Sequence, residues 1–280
     1  MKGLCRKVDE WAMVIDEATQ RLLHLQCARP DLRTLSFGRF RMLCLMTVLY
    51  EKLGVRYNRG FSEGEYDGHD DRNLFIHGVL TGHGGTCVTM PVLVAALGRR
   101  LSYPLKLVYA KQHMFCRWDG PNEKFNIETT SPGFNERSDS HYLRWPLPIM
   151  QRELDKGWYL RSLSPKEELA FFLAQRGHCL TDHWHAKLAT IAYSYAANLA
   201  KDNENYHYMW GCSIIMERAV EAMDKQIKEN PESKSLVMPA PKEDWEKRMY
   251  PEVYRNFRRI ADQNAARIKK RAAQAALTNA

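Results

Sequence analysis

Three side chains in the middle of this chain are of the right types to attack a carbonyl: Cys87, His113 and Glu128. A cysteine attacks as its thiolate, and the start of a helix favours that form through unpaired backbone N–H groups and the positive end of the helix dipole. Cys87 stands where the turn Gly82-His83-Gly84-Gly85 gives way to a helical pattern. Glycines there permit a tight turn and close approach of a substrate carbonyl to the Cys87 amide, a natural oxyanion donor. Asn73, His77 and His83 are the nearby candidates for the rest of that hole. A general base must lie within hydrogen-bond reach, and His113 falls on a predicted strand, a firmer mount than a loop. A hairpin turn centred between Gly120 and Pro121 sets His113 opposite Glu128, which can then orient the imidazole and stabilise its cation. Asn126 has the same parity and lies diagonally from His113, so it is a second orienting candidate; a one-residue slip in register would turn both to the other face.

The elements that must position these groups are legible from periodicity. Met90, Leu93, Val94, Leu97 and Leu101 recur at i, i+3, i+4 and predict a helix from about Cys87 to Leu101 packed on one side. Pro104 opens a predicted strand, Leu105 to Trp118, whose hairpin partner is Lys124 to Thr129 across Asp119-Gly120-Pro121-Asn122. Upstream, residues 8–54 are helical by spacing, divided at Pro30 and closed by Gly54. Gly60 to Asn73 reads as an acidic, Gly-rich loop, either an insertion or an edge of the site. From Pro165 to about Ala200 and from about Tyr206 to Glu229 the pattern is helical again, a linker runs from Asn230 to Pro241, and a basic helix is expected from Glu243 to about Leu277.

With 280 residues, 45% of them hydrophobic, the chain can bury a sizeable core without staples. Its seven cysteines are odd in number, scattered singly and free of C-x-x-C pairs, which points to reduced thiols and a cytoplasmic address. Charges in Met1 to Glu10 break any secretory h-region, and the longest apolar runs, such as Val92 to Leu97, are far short of a membrane span; a soluble protein with no membrane partner is expected. A net charge of +8 suits acidic partners without choosing among them. The apolar stripe of the last helix favours packing on the body of the protein, leaving nucleic acid a disfavoured partner. No Walker loop and no G-x-G-x-x-G after a strand is present, so no cofactor is expected.

Other patterns carry less. Gly60-Phe61-Ser62-Glu63-Gly64 matches G-x-S-x-G, but a polar loop follows where a nucleophile elbow needs a helix. His178, Cys179, Asp182, His183 and His185 crowd together without the spacing of a metal motif, and a polar helix end is the better account. The acids from Glu63 to Asp71 lack the alternation of a calcium loop.

Five segments together resemble the transglutaminase-like, papain-related superfamily, most closely a bacterial branch of it. They are Tyr50-Glu51-Lys52-Leu53-Gly54, Asp71 to Leu80, Gly85-Thr86-Cys87 with Leu97 to Leu101, His113 to Trp118, and Phe125 to Thr130. The resemblance covers about residues 40 to 135. It implies an α+β fold in which a Cys-bearing helix packs on an antiparallel sheet carrying His and an acid, with N-terminal helices and a helical C-terminal half. It maps the nucleophile to Cys87 and the base to His113; the acid, usually Asp before Pro or Thr, falls on Glu128 before Thr129. The implied organisation is N-terminal helices over 1–55, the catalytic core over 56–160, a helical segment over 161–230, and a linker with the basic helix over 231–280. The implied activity is a cysteine-dependent acyl hydrolase or transferase acting on an amide bond of a protein or peptide through a thioester. A weaker resemblance, to a tetratricopeptide repeat, runs from about Leu169 to Asn203: Gly177, Ala189, Tyr193 and Ala196 fit its spacing, while Trp184 and Lys201 replace its usual Gly and Pro. That resemblance implies a protein partner at the helical C-terminal half, and with it the alternative of a non-catalytic scaffold.

Overall fold

The computed structural model describes residues 2–58, 60 and 70–230, and the described residues fall into two compact units that part after Gln175. Most of the predicted acidic loop, the G-x-S-x-G match, and the linker and basic helix beyond Asn230 lie outside the described residues.

In the first unit, Val8, Ala12 and Ile15 fall on one stripe of α1 (Lys2–Ala28) and are buried. Pro30 begins the short α2 (Pro30–Arg33), where its missing N–H costs nothing. Ser36 caps α3 (Phe37–Thr47), which continues through a π turn, Val48–Lys52, and stops at Gly54, whose φ of +69° is open to glycine. A 3-10 turn, Asp71–Asn73, leads to α4 (Ile76–Leu80) and then α5 (Thr89–Arg100), which buries Met90, Leu93, Val94 and Leu97. Full burial of such side chains contributes roughly 1.5–3 kcal/mol each.

The sheet is antiparallel in the order β1 (Leu105–Ala110), β2 (His113–Asp119), β3 (Lys124–Glu128), β4 (Asn135–Glu136). Alternation along the strands makes two faces. Leu105, Leu107, Met114, Cys116, Trp118, Phe125 and Ile127 join α1, α3 and α5 in the main core. Val108, Ala110 and Phe115 form a smaller cluster on the other face with Tyr142, from α6 (Asp139–Tyr142), and Ile149. Phe115 and Tyr142 stack with ring centroids 3.8 Å apart. After α7 (Gln151–Asp155), residues 160–163 run along β1 and pair with it through Leu160 N–H to Tyr109 O and Leu163 N–H to Leu107 O, so that edge is covered.

The fold is therefore α+β with a Cys-bearing helix against an antiparallel sheet, as expected. One correction concerns Leu105 to Trp118: it is two strands, because the chain reverses at Lys111-Gln112 with Gln112 at φ +62°, pairing Ala110 with His113.

α8 (Pro165–Asp182) begins in the first unit, where Glu168 takes two hydrogen bonds from Arg99 at the end of α5. Its last turns belong to the second unit with α9 (Ala186–Leu199) and α10 (Glu204–Glu229). Trp184, at φ +61°, divides the predicted helical stretch into a hairpin. Gly177 fits there because a Cβ would stand 2.6 Å from the Tyr193 ring, whose hydroxyl meets His178 Nδ1 at 2.9 Å. Among the described residues, no helix is long and apolar enough to cross a membrane, and no group of three or more His, Cys, Asp or Glu is arranged to hold a metal.

Candidate active site

Cys87 is placed by a capping box. Thr86 Oγ1 accepts from Thr89 N at 3.3 Å, Thr89 Oγ1 accepts from Thr86 N at 2.8 Å, and Met90 N donates to Thr86 O at 3.1 Å. Thr86 is thus the effective cap, and Cys87 is the first residue inside it. The regular helix begins later, at Thr89, because Pro91 has no N–H to give the Cys87 carbonyl. The turn ahead of the cap is held on both sides: Gly85 N donates to Arg56 O and Asn58 N to Gly85 O, each at 2.8 Å, and Thr86 Oγ1 donates to Asn73 O at 2.9 Å. Gly84 adopts φ +98°, and a Cβ there would lie 3.1 Å from the Asn58 backbone. The thiol is partly exposed at the end of this assembly.

His113 opens β2 with only 3% of its surface exposed. Its Nε2 is 2.8 Å from Glu128 Oε2, and the ring lies near enough to the Cys87 side chain for the two to interact. Trp145 packs edge-on against it, with ring centroids 4.6 Å apart. The Glu128 carboxylate is satisfied on both oxygens: Thr130 N and Oγ1 donate to Oε1 at 2.9 and 2.6 Å, and Tyr142 Oη donates to Oε2 at 3.0 Å. Burial disfavours the imidazolium, but the hydrogen bonds to Cys87 and Glu128, with their charge, outweigh it and raise His113 to about 9. Burial likewise opposes the carboxylate, and the bond and charge of His113 with the Thr130 donors bring Glu128 down to about 2. A cation and an anion therefore face one another in the interior beside the thiol.

The register that brings them together differs from the expected one. β2 and β3 pair Cys116 with Ile127 and Arg117 with Asn126, so the turn is centred between Pro121 and Asn122. His113 is thus offset by two residues from the position opposite Glu128. An even shift preserves the face, and the long Glu side chain spans the diagonal.

Cys87, His113 and Glu128 are brought together; the other candidates have different partners. Asn126, expected as a second orienting group, accepts from Arg117 Nε at 2.7 Å and donates to Arg137 O and Asp139 Oδ1. It cross-links the sheet to α6 instead of turning the imidazole. Asn73 Oδ1 meets Asn58 Nδ2 at 3.0 Å and His83 Nε2 at 3.1 Å, behind the Thr86 cap, and His77 pairs with Asp71 at 3.5 Å. Asn73 and His83 thus brace the turn that carries Cys87.

Four residues of the site escaped the sequence reading. Thr130 follows Glu128 by two, the spacing of a local side-chain-to-backbone motif that does carry a signal. Tyr142 and Trp145 lie on a short helix and its exit, with no periodicity to mark them. Tyr57, which follows the π turn, bridges in parallel to Gly85, and its buried phenol lies near enough to Cys87 and Glu128 for their charge to act on it.

Residues 6–140 match the family model of the transglutaminase-like superfamily. The match takes in Cys87, His113 and Glu128 and does not reach the segment with tetratricopeptide-like spacing, which is a helical hairpin. The chain matches no curated protein and no solved structure.

Proposed function

We propose that this protein, whose residues 6–140 match the transglutaminase-like family model, is a cysteine-dependent acyl hydrolase or acyl transferase acting on an amide bond, with Cys87 as nucleophile, His113 as base and Glu128 as the acid that orients it. One observation carries the reading: a buried imidazole beside the half-buried Cys87 is held 2.8 Å from a carboxylate whose other acceptor sites are filled. Cys87 Sγ forms a bond to the substrate carbonyl carbon, and the π pair moves to oxygen beside the Cys87 N–H. The thiol proton resides on His113, which passes it to the departing amine as the C–N bond breaks. Water or a second amine then attacks the thioester, with His113 as base, giving the acid or a new amide. A protein or peptide is the substrate class that suits a thiol partly open to solvent at a helix end.

The test is alkylation by iodoacetamide read by peptide mass spectrometry. Cys5 is an internal reference, being exposed but without a histidine partner in the site. Cys87 is expected to label well ahead of Cys5, and His113→Ala to bring it down to the reference rate. Labelling that follows exposure alone would remove the basis for the enzyme.

A second reading, a scaffold that binds a protein through its helical C-terminal half, is favoured by one feature of α9. Leu188, Ile191 and Tyr195 are 51%, 45% and 59% exposed along one stripe. It predicts that Cys87→Ala preserves the biological role; loss of that role in a folded Cys87→Ala protein would end it.

A further inference from the structure

We propose that Tyr142 is a positioning residue that sets the strength of the base: its phenol shares one oxygen of Glu128 with His113 and so limits how firmly the carboxylate holds the imidazolium. The proposal deepens the thiol-enzyme reading above and rests on it for its meaning in catalysis. Glu128 Oε1 is occupied by Thr130 N and Oγ1 at 2.9 and 2.6 Å. Its Oε2 meets His113 Nε2 at 2.8 Å and takes the Tyr142 hydroxyl at 3.0 Å. A carboxylate oxygen that already accepts one proton donor is a weaker acceptor for the next. Without the phenol, the same oxygen would bind the imidazolium more tightly, and His113 would surrender its proton to a departing amine less readily.

The phenol is fixed from both ends. Its ring is fully buried and stacked on Phe115, with centroids 3.8 Å apart and planes inclined by 3°. The start of α6 is tied to the sheet through Asp139, which accepts from Arg117 Nη2 at 2.6 Å and from Asn126 Nδ2 at 2.7 Å, both of those side chains being buried. The Arg117–Asn126–Asp139 network thus gains a purpose: it holds in place the helix that carries the shared donor. The other charged and titratable groups around the pair are Cys87, Cys116 on β2, Arg137 and His141 at α6, and Tyr50 and Tyr57. Burial keeps His141 below its ordinary value and pushes Cys116 and the three phenols, Tyr142 included, far up, so none of these changes charge where His113 does.

The test is the titration of the His113 imidazole by NMR in the full chain with isotope-labelled histidine, its signal assigned by its loss in His113→Gln. Cys87→Ala is the common background, so the thiol takes no part in the titration. Adding Tyr142→Phe keeps the ring on Phe115 and removes only the hydroxyl. The midpoint is expected to rise by about one pH unit, the scale of one hydrogen bond to a charged group. A ring-fluorinated tyrosine at position 142, a stronger donor, is expected to lower the midpoint instead, and it decides the matter if Tyr142→Phe does not fold. An unchanged midpoint would overturn the proposal. So would a fall in Tyr142→Phe or a rise with the fluorinated ring; the fall would mean that the phenol only places the carboxylate. The titration needs neither substrate nor Cys87, so its outcome is separate from the alkylation test. Unselective alkylation of Cys87 would end the thiol-enzyme reading, whereas an unmoved midpoint would end only the role of Tyr142.

Discussion

Glu128 meets four donors with two oxygens, and the extra methylene that distinguishes it from aspartate is what lets it cross a diagonal of the sheet to His113. The pair has a consequence for stability against pH. His113 has a folded pKa of about 9 against an ordinary 6.5, so its contribution is fully present below 6.5 and is lost as pH rises through 9. Glu128 is held at about 2 against an ordinary 4.5, so its contribution is present above 4.5 and lost as pH falls through 2. Urea unfolding should accordingly show the pair's stabilisation greatest between pH 4.5 and 6.5 and declining from 6.5 to 9. In Glu128→Gln the protein should be less stable below pH 6.5 and its alkaline decline shallower; an identical slope in both proteins would show that the pair does not govern this limb. Residue identity was readable here, because chemistry restricts nucleophile and base to few types. What surrounds them was not: Tyr142, Trp145 and Tyr57 act through contacts that only the folded chain creates.

At the level of elements, the cap of α5 and the two hairpins decide where the reactive groups stand. Thr86-Cys87-Val88-Thr89 closes its box with a threonine hydroxyl where a glutamate side chain is usual, so a search for the commoner pattern passes over it. Thr86→Val is expected to cost about 1 kcal/mol, the ordinary worth of a cap, in urea unfolding. Because the same hydroxyl ties Asn73 to the turn, it should also slow Cys87 acylation. A stability loss with acylation intact would confine Thr86 to the helix. The helices were legible because their apolar stripes repeat over many residues. The β1–β2 turn was hidden: Lys111-Gln112 has no Gly, Pro, Asn or Asp, and the alternation runs through it unbroken. The β2–β3 turn was recognised by Gly120-Pro121-Asn122, yet composition alone left its centre one residue out, and each residue of error at the centre shifts the pairing by two.

At the scale of the molecule, the boundary after Gln175 falls within a continuous helix, where no linker composition marks it. The first unit has the large core of α1, α3, α5 and the sheet, whereas α9 buries mainly alanines, with Tyr193, in the second. Native-state hydrogen exchange should resolve them as separate cooperative bodies. Leu93→Ala, which opens a cavity costing about 2–5 kcal/mol, is expected to speed the slowest amides of β1, β2 and α5 and to leave those of α9 and α10 at their wild-type rates. A common acceleration in both sets would make them one folding unit. The edge-on contact between Trp145 and His113 makes the protein partly its own optical titrant. A protonated imidazole draws electron density from an excited indole, so of the seven tryptophans in the chain, Trp145 should glow dimly while His113 is charged and brighten as the ring is neutralised near pH 9. Intrinsic light emission would then follow the base of the candidate site directly, with no substrate present and no label attached.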